Sequence, residues 1–132
     1  MKKEEKMMLK FRGVSISDNN KGQWMYGDLI IDGNYAYIVN GVIECNDQYI
    51  TIAEWCPVDP KTIGASTGVV DINGKEIFEG DIVRMHSGEL LPVKLHHGLF
   101  EPVCYYASRA FGRVGNVFEN PELLEHPDFR EG

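Results

Sequence analysis

Turn-forming clusters interrupt this chain so often that every regular element between them must be short. Asp18-Asn19-Asn20-Lys21-Gly22, Asp32-Gly33-Asn34, Asn40-Gly41 and Asn46-Asp47 punctuate the first half, and Asn73-Gly74, Glu79-Gly80-Asp81, Ser87-Gly88-Glu89 and His97-Gly98 the second. Asn, Asp and Gly tolerate left-handed backbone angles and bond their own main chain, so each cluster predicts a reversal. The residues between the clusters are β-branched and aromatic. Leu9 and Phe11, then Val14 and Ile16, alternate with polar neighbours at the two-residue period of a strand. Trp24–Ile31 and Tyr35–Val39 read as a hairpin across Asp32-Gly33-Asn34, and Val42–Cys45 and Tyr49–Ala53 extend it into a meander.

Between Trp55 and Ser66 this pattern fails. Pro57, Asp59, Pro60 and Gly64 remove ladder donors and favour turns, which predicts a connection or single helical turn and a lobe boundary near Pro57–Gly64. Beyond it, Gly68–Ile72 and Lys75–Phe78 flank Asn73-Gly74, a dipeptide suited to a two-residue type I′ turn. Ile82–Met85, Leu91–His96 and Arg113–Phe118 read as further strands, with Phe100, Val103, Tyr105 and Tyr106 as strand residues between them. Asn120-Pro121-Glu122 starts a short helix: Asn120 can cap, Pro121 suits the first helical position, and Pro127 stops it. The expected fold is mainly β with a little α. It comprises a basic arm over residues 1–12, a short-strand lobe over 13–60, and an SH3-like, partly open barrel with the terminal helix over 61–132.

Charge narrows the partners. The net charge of the 132 residues is −7, but five of the thirteen basic residues and two of the twenty acids lie in residues 1–12, so the arm is +3 and the remainder −10. An acidic body repels phosphate backbones and anionic headgroups, which disfavours bulk nucleic-acid binding and gives no reason to expect a membrane. Met1–Lys10 alternates charge without building an apolar core, so neither a signal peptide nor a membrane span is expected, and the cytoplasm is the expected compartment. Cys45, Cys56 and Cys104 are an odd, widely spaced set and read as reduced thiols.

A reaction is harder to find. His96-His97 is the one histidine cluster, but neighbours on a strand point to opposite faces, and nothing orients either imidazole against Cys104 as a nucleophile–base pair. Glu79 and Asp81 sit in a Gly-rich turn whose backbone Asp81 is expected to bond, and Ser66 and Thr67 have no base nearby. Phosphate-cradling and nucleophile-elbow motifs are absent. Trp24, Tyr26, Tyr35 and Tyr37 could form a platform for unpaired bases, though few basic residues accompany them and core or interface packing is the preferred reading. No catalytic, cofactor-binding or metal residue is assigned.

The run Thr67-Gly68-Val69-Val70-Asp71, Asn73-Gly74-Lys75-Glu76-Ile77 and Phe78-Glu79-Gly80-Asp81-Ile82-Val83 resembles the YopX family of bacteriophage and prophage proteins, with Val69 and Phe78 in place of that family's usual Leu and Tyr. Lys10-Phe11-Arg12-Gly13 is similar to the family's opening, and Gly115-Asn116-Val117-Phe118-Glu119-Asn120-Pro121-Glu122-Leu123-Leu124 to its close. The resemblance implies a small β-rich protein carried on phage genomes and expressed in the bacterial cytoplasm, with no established activity. Its shared residues are turn-formers, among them Gly74, Gly80 and Gly115. The function expected from these features is non-enzymatic: contacts with itself as a homo-oligomer, or with a host or phage protein. The alternative is a single-stranded nucleic-acid binder using the basic arm.

Overall fold

Short antiparallel strands dominate, as the turn clusters predict. The computed structural model describes residues 10–48 and 50–125, and the chain divides into two units, Met1–Ala65 and Ser66–Gly132.

In the first unit, β1 (Phe11–Val14), β2 (Trp24–Asp32), β3 (Tyr35–Cys45) and β4 (Ile50–Val58) form a meander in the order β4-β3-β2-β1. The start of β5 (Gly64–Val70) pairs with the other side of β1 through Phe11↔Ala65 and Arg12↔Gly64. One face carries the core: Ala36, Ile38 and Val58 are buried against Phe11, Met25, Leu29 and Ile63. At its end the meander curls on itself, because Ser15 bridges to Val58 and the Asp59 N–H donates to Val14 O at 2.8 Å.

Three expectations fail in this unit. Asn40-Gly41 does not break the chain; β3 runs through it with a register shift between Val42 and Glu44. The Asn40 side-chain amide donates instead to Tyr26 O at 2.9 Å, in a tight crossing where a Cβ on Gly27 would lie 2.5 Å from Val39 O. Second, β4 continues through Pro57 to Val58, so only the later part of this stretch is the expected helical turn, a 3-10 turn at Pro60–Thr62 whose Lys61 N–H is capped by Asp59 Oδ1 at 3.0 Å. Pro57 is tolerated because β4 is the edge of the sheet, where a missing donor costs little. Third, Arg12, placed by sequence in the basic arm, belongs to β1. It is 1% exposed and its guanidinium lies 4.5 Å from the centre of the Trp24 ring. Lys2, Lys3 and Lys6 of that arm lie outside the described residues, as does Pro127.

In the second unit, the rest of β5 pairs with β6 (Glu76–Phe78), while β7 (Asp81–Met85) is flanked by β8 (Leu90–Pro92) and β11 (Phe111–Asn116) in the order β11-β7-β8. β9 (Lys94–His96) and β10 (Leu99–Glu101) form a separate hairpin, and α1 (Glu122–Glu125) ends the described chain. Ile77, Val83, Met85, Val93, Val103 and Phe111 form the core. The described strands do not close into a barrel. No described helix is long and apolar enough to cross a membrane.

The turns of this unit differ in kind from the sequence expectation. Gly74 has φ +80°, but Asn73 does not share a positive φ, so Asn73-Gly74 is not type I′. The Asp71 N–H donates to Lys75 O at 2.9 Å and the Gly74 N–H to Asp71 O at 2.9 Å: a three-residue loop with glycine in the left-handed position. Met85–Glu89 repeats the device with Gly88 at φ +97°. The two-residue turn with both central φ positive is His97-Gly98, at 53° and 81°. Val103–Tyr105 is a 3-10 turn and not a strand. Asn120 Oδ1 accepts from the Asn116 N–H at 3.2 Å, in a place where a Cβ on Gly115 would come within 2.5 Å of it. Gly115 is thus required by close approach, not by backbone angle.

Candidate functional site

The strand alternation of the first unit creates a second face opposite its core. Registers Asp28↔Val39, Ile30↔Tyr37 and Asp32↔Tyr35, with Tyr37↔Pro57 and Val39↔Trp55, put Ile30, Tyr35, Tyr37, Val39 and Trp55 on one side of the sheet. Tyr35 is 67% exposed and Trp55 62%. Trp55 meets Tyr37 edge-on, ring centres 5.5 Å apart, and the two enclose with Ile30 and Val39 a shallow apolar depression of about 270 Å³. Tyr26 stands exposed on the same side by alternation along β2, with exposed Asp28 and Asp32 between the apolar groups. Of the four aromatics that could form a platform but read more readily as core or interface packing, Tyr26, Tyr35 and Tyr37 contribute to this face, and Trp24 is taken up by Arg12. Trp55 was missed because Pro57 and Pro60 argued against a strand; the alternation of Trp55 and Pro57 with Cys56 and Val58 was the signal available. Beside the face, the outer edge of β4 from Ile50 to Cys56 has no strand partner among the described residues.

Under the same strand edge lies a polar pocket of about 440 Å³ lined by Asn20, Asn40, Glu54 and Cys56 among others. The Asn20 and Asn40 amides and the thiol are engaged: Cys56 Sγ donates to Ser15 Oγ at 3.2 Å, Ser15 Oγ donates to Asn20 Oδ1 at 2.5 Å, and Asn40 is committed to Tyr26 O. This network fixes the loop after β1 to β4.

The residues that carry the family resemblance build turns and join them. Asp81, fully buried, accepts from the Phe78 N–H at 2.8 Å, the turn bond expected of it, and from Arg113 Nε at 2.9 Å. Asp71, 2% exposed, accepts from the N–H groups of Asn73 and Lys75, each at 2.9 Å, and from that of Arg113 at 2.8 Å. Burial works to raise the Asp71 pKa, but the three N–H donors and the Lys75 charge outweigh it and hold the carboxyl below its ordinary range. Ser66 Oγ donates to Glu76 Oε2 and Thr67 Oγ1 to Ile77 O, so both hydroxyls tie β5 to β6.

The histidines adopt a geometry that sequence did not foresee. The left-handed backbone of His97 turns its ring back on His96, centres 4.0 Å apart, instead of to the opposite face. His96 Nδ1 lies 3.4 Å from Glu101 Oε1, and the Tyr105 hydroxyl donates to Glu101 Oε2 at 2.8 Å. The Tyr105 bond, with smaller help from His96 and His97, keeps Glu101 below the usual carboxylate range, and Glu101 in turn raises Tyr105. Cys104 is exposed, and among the described residues it hydrogen bonds to neither imidazole. Among the described residues, no three His, Cys, Asp or Glu side chains converge to hold a metal ion.

Set against known proteins, the chain matches a family model described as YopX protein over residues 1–125. No curated protein matches it.

Proposed function

Because this chain belongs to the YopX family, we propose that it is a phage- or prophage-encoded accessory protein of the bacterial cytoplasm that works without catalysis, by protein–protein contact with a second copy of itself. The observation that supports this reading is the exposed face of β2, β3 and β4, where Tyr35 and Trp55 border an apolar depression. Aromatic groups around an apolar centre with a charged rim are the composition of a contact surface. The edge of β4 from Ile50 to Cys56, without a strand partner among the described residues, adjoins it, and an edge strand can pair with its own copy about a twofold axis. Light scattering coupled to size-exclusion chromatography across a concentration series tests the proposal. A dimer that Trp55→Glu converts to monomer, and that Leu95→Glu on the second unit leaves intact, is the expected result. A monomer at every concentration, or an oligomer indifferent to Trp55→Glu, overturns it.

The exposed rings of Tyr26, Tyr35 and Trp55 also favour a second reading, single-stranded nucleic acid stacked on this face. Asp28 and Asp32 oppose it. Oligothymidine anisotropy at low and high salt tests it, with a chain lacking residues 1–9 as the comparison, since Arg12 belongs to β1. Steep salt dependence lost with the arm supports that reading; flat curves at low salt remove it.

A further inference from the structure

The second unit holds a groove whose exposed charged side chains are basic, although residues 13–132 together carry a net charge of −10. It measures about 310 Å³, and Arg84, His86 and Arg109 line it together with Ile72 and Val114. The register explains the grouping. Arg84 pairs with Gly112 across β7 and β11, and the His86 N–H donates to Ala110 O at 2.7 Å, so the β7 side chains that point away from the core stand beside a floor made by Ala110 and Gly112. Gly112 keeps that floor low: a Cβ there would come within 3.4 Å of Ile72 Cγ2.

Two guanidiniums in this groove are uncommitted. Arg113 is held by Asp81, but among the described residues neither Arg84 nor Arg109 has an ion pair or a side-chain hydrogen bond, and both are exposed. The carboxylates of the adjoining turns, Asp71 and Asp81, are buried and occupied by backbone N–H groups and Arg113. Opposite the arginines the groove is aliphatic, with Ile72 60% exposed and Val114 40%. A cationic wall, an aliphatic wall and a backbone floor select a ligand that carries both a carboxylate and an aliphatic side chain.

We propose that this groove is a docking site for an acidic peptide segment of a partner protein, with carboxylates bound by Arg84 and Arg109 and an aliphatic side chain seated on Ile72 and Val114. Charge complementarity and the exposed aliphatic groups of Ile72 and Val114, with Phe111 buried beneath them, favour an acidic peptide with an aliphatic side chain as the occupant. The site lies in the second unit and goes beyond the self-association proposed for the first.

Fluorescence anisotropy of the full chain tests the proposal, using a short labelled peptide of alternating glutamate and leucine, its glutamine-and-leucine counterpart, and oligothymidine of similar length. The glutamate peptide is expected to bind saturably, and the Arg84→Ala/Arg109→Ala variant to bind it at least about tenfold more weakly. Both side chains are exposed, so the variant is expected to keep the parent's melting temperature. The glutamine peptide should lose affinity to a similar degree, and Arg84→Lys/Arg109→Lys should recover part of it. No binding of the glutamate peptide, binding unaffected by the double alanine variant, or tighter binding of oligothymidine through the same two arginines would each overturn the proposal. Trp55→Glu should leave this binding unchanged, which separates it from the dimerisation test.

Discussion

Replacing Asp81 by alanine is the perturbation to which the second unit should be most sensitive. The carboxylate is wholly excluded from solvent and accepts from the Phe78 N–H at 2.8 Å and Arg113 Nε at 2.9 Å. Removing one partner of a buried, hydrogen-bonded ion pair costs about 3–5 kcal/mol. The Arg113 side chain is 30% exposed, so water can recover part of its loss, whereas the Phe78 N–H is left buried. The lower end, about 3 kcal/mol, follows from that difference. Urea unfolding followed by far-ultraviolet circular dichroism reads it. With a slope of about 1.5–2 kcal/mol per molar, the midpoint should fall by about 1.5–2 M. Asp81→Asn keeps an oxygen for the Phe78 N–H and should lose about half as much. In a double-mutant cycle with Arg113→Ala, a coupling of about 1–2 kcal/mol is expected. A loss below about 1 kcal/mol, with the two substitutions additive, would refute the assignment of Asp81 as the anchor of this turn.

Acid should destabilise the protein partly through Asp71. Its folded pKa is lowered, so its stabilisation is complete above the unfolded value of about 3.9 and is lost as pH falls from there through the folded pKa. Urea midpoints taken from neutral pH downward should therefore drop in that window for the parent and drop less for Asp71→Asn. Gly115→Ala forces a Cβ to within 2.5 Å of Asn120 Oδ1 and should cost about 1–3 kcal/mol in a thermal melt. Gly74→Ala meets open space but a φ of +80°, so its cost should be nearer about 1 kcal/mol. Cys104 is exposed and Cys56 buried, so peptide-resolved mass spectrometry after brief iodoacetamide treatment should find Cys104 alkylated well before Cys56.

Much of the strand order was legible because turn residues mark their own positions. Asp18–Gly22, Gly33-Asn34 and Ser87-Gly88 all reverse the chain, and β2, β3 and β7 start within a residue of where the apolar runs begin. Local composition misled where a long-range bond took over the side chain. Asn40 reads as a turn residue, but its amide satisfies Tyr26 O across the sheet. Pro57 reads as a breaker, yet an edge strand has no donor to lose there. Arg12 reads as part of a charged arm, and the ring of Trp24 covers it. The exposed face was partly visible as a run of aromatics, whereas the alternation that places Trp55 on it was masked by Pro57 and Pro60, which read as breakers. The arginine groove was invisible because Arg84 and Arg109 are distant in sequence and come to line one groove only once β7 pairs with β11.

Arg113 receives both motif carboxylates, Asp71 through its backbone N–H and Asp81 through its side chain. The region is therefore held by three residues and not two. Asp71 can be exchanged without regard to which side chain stands at position 113, since it reads only the main chain there. Asp81 cannot, because its partner is the guanidinium itself. Sequences that lose the acid at 81 are therefore expected to change residue 113 in the same lineage, while changes at 71 should be compensated locally, within the turn that it closes.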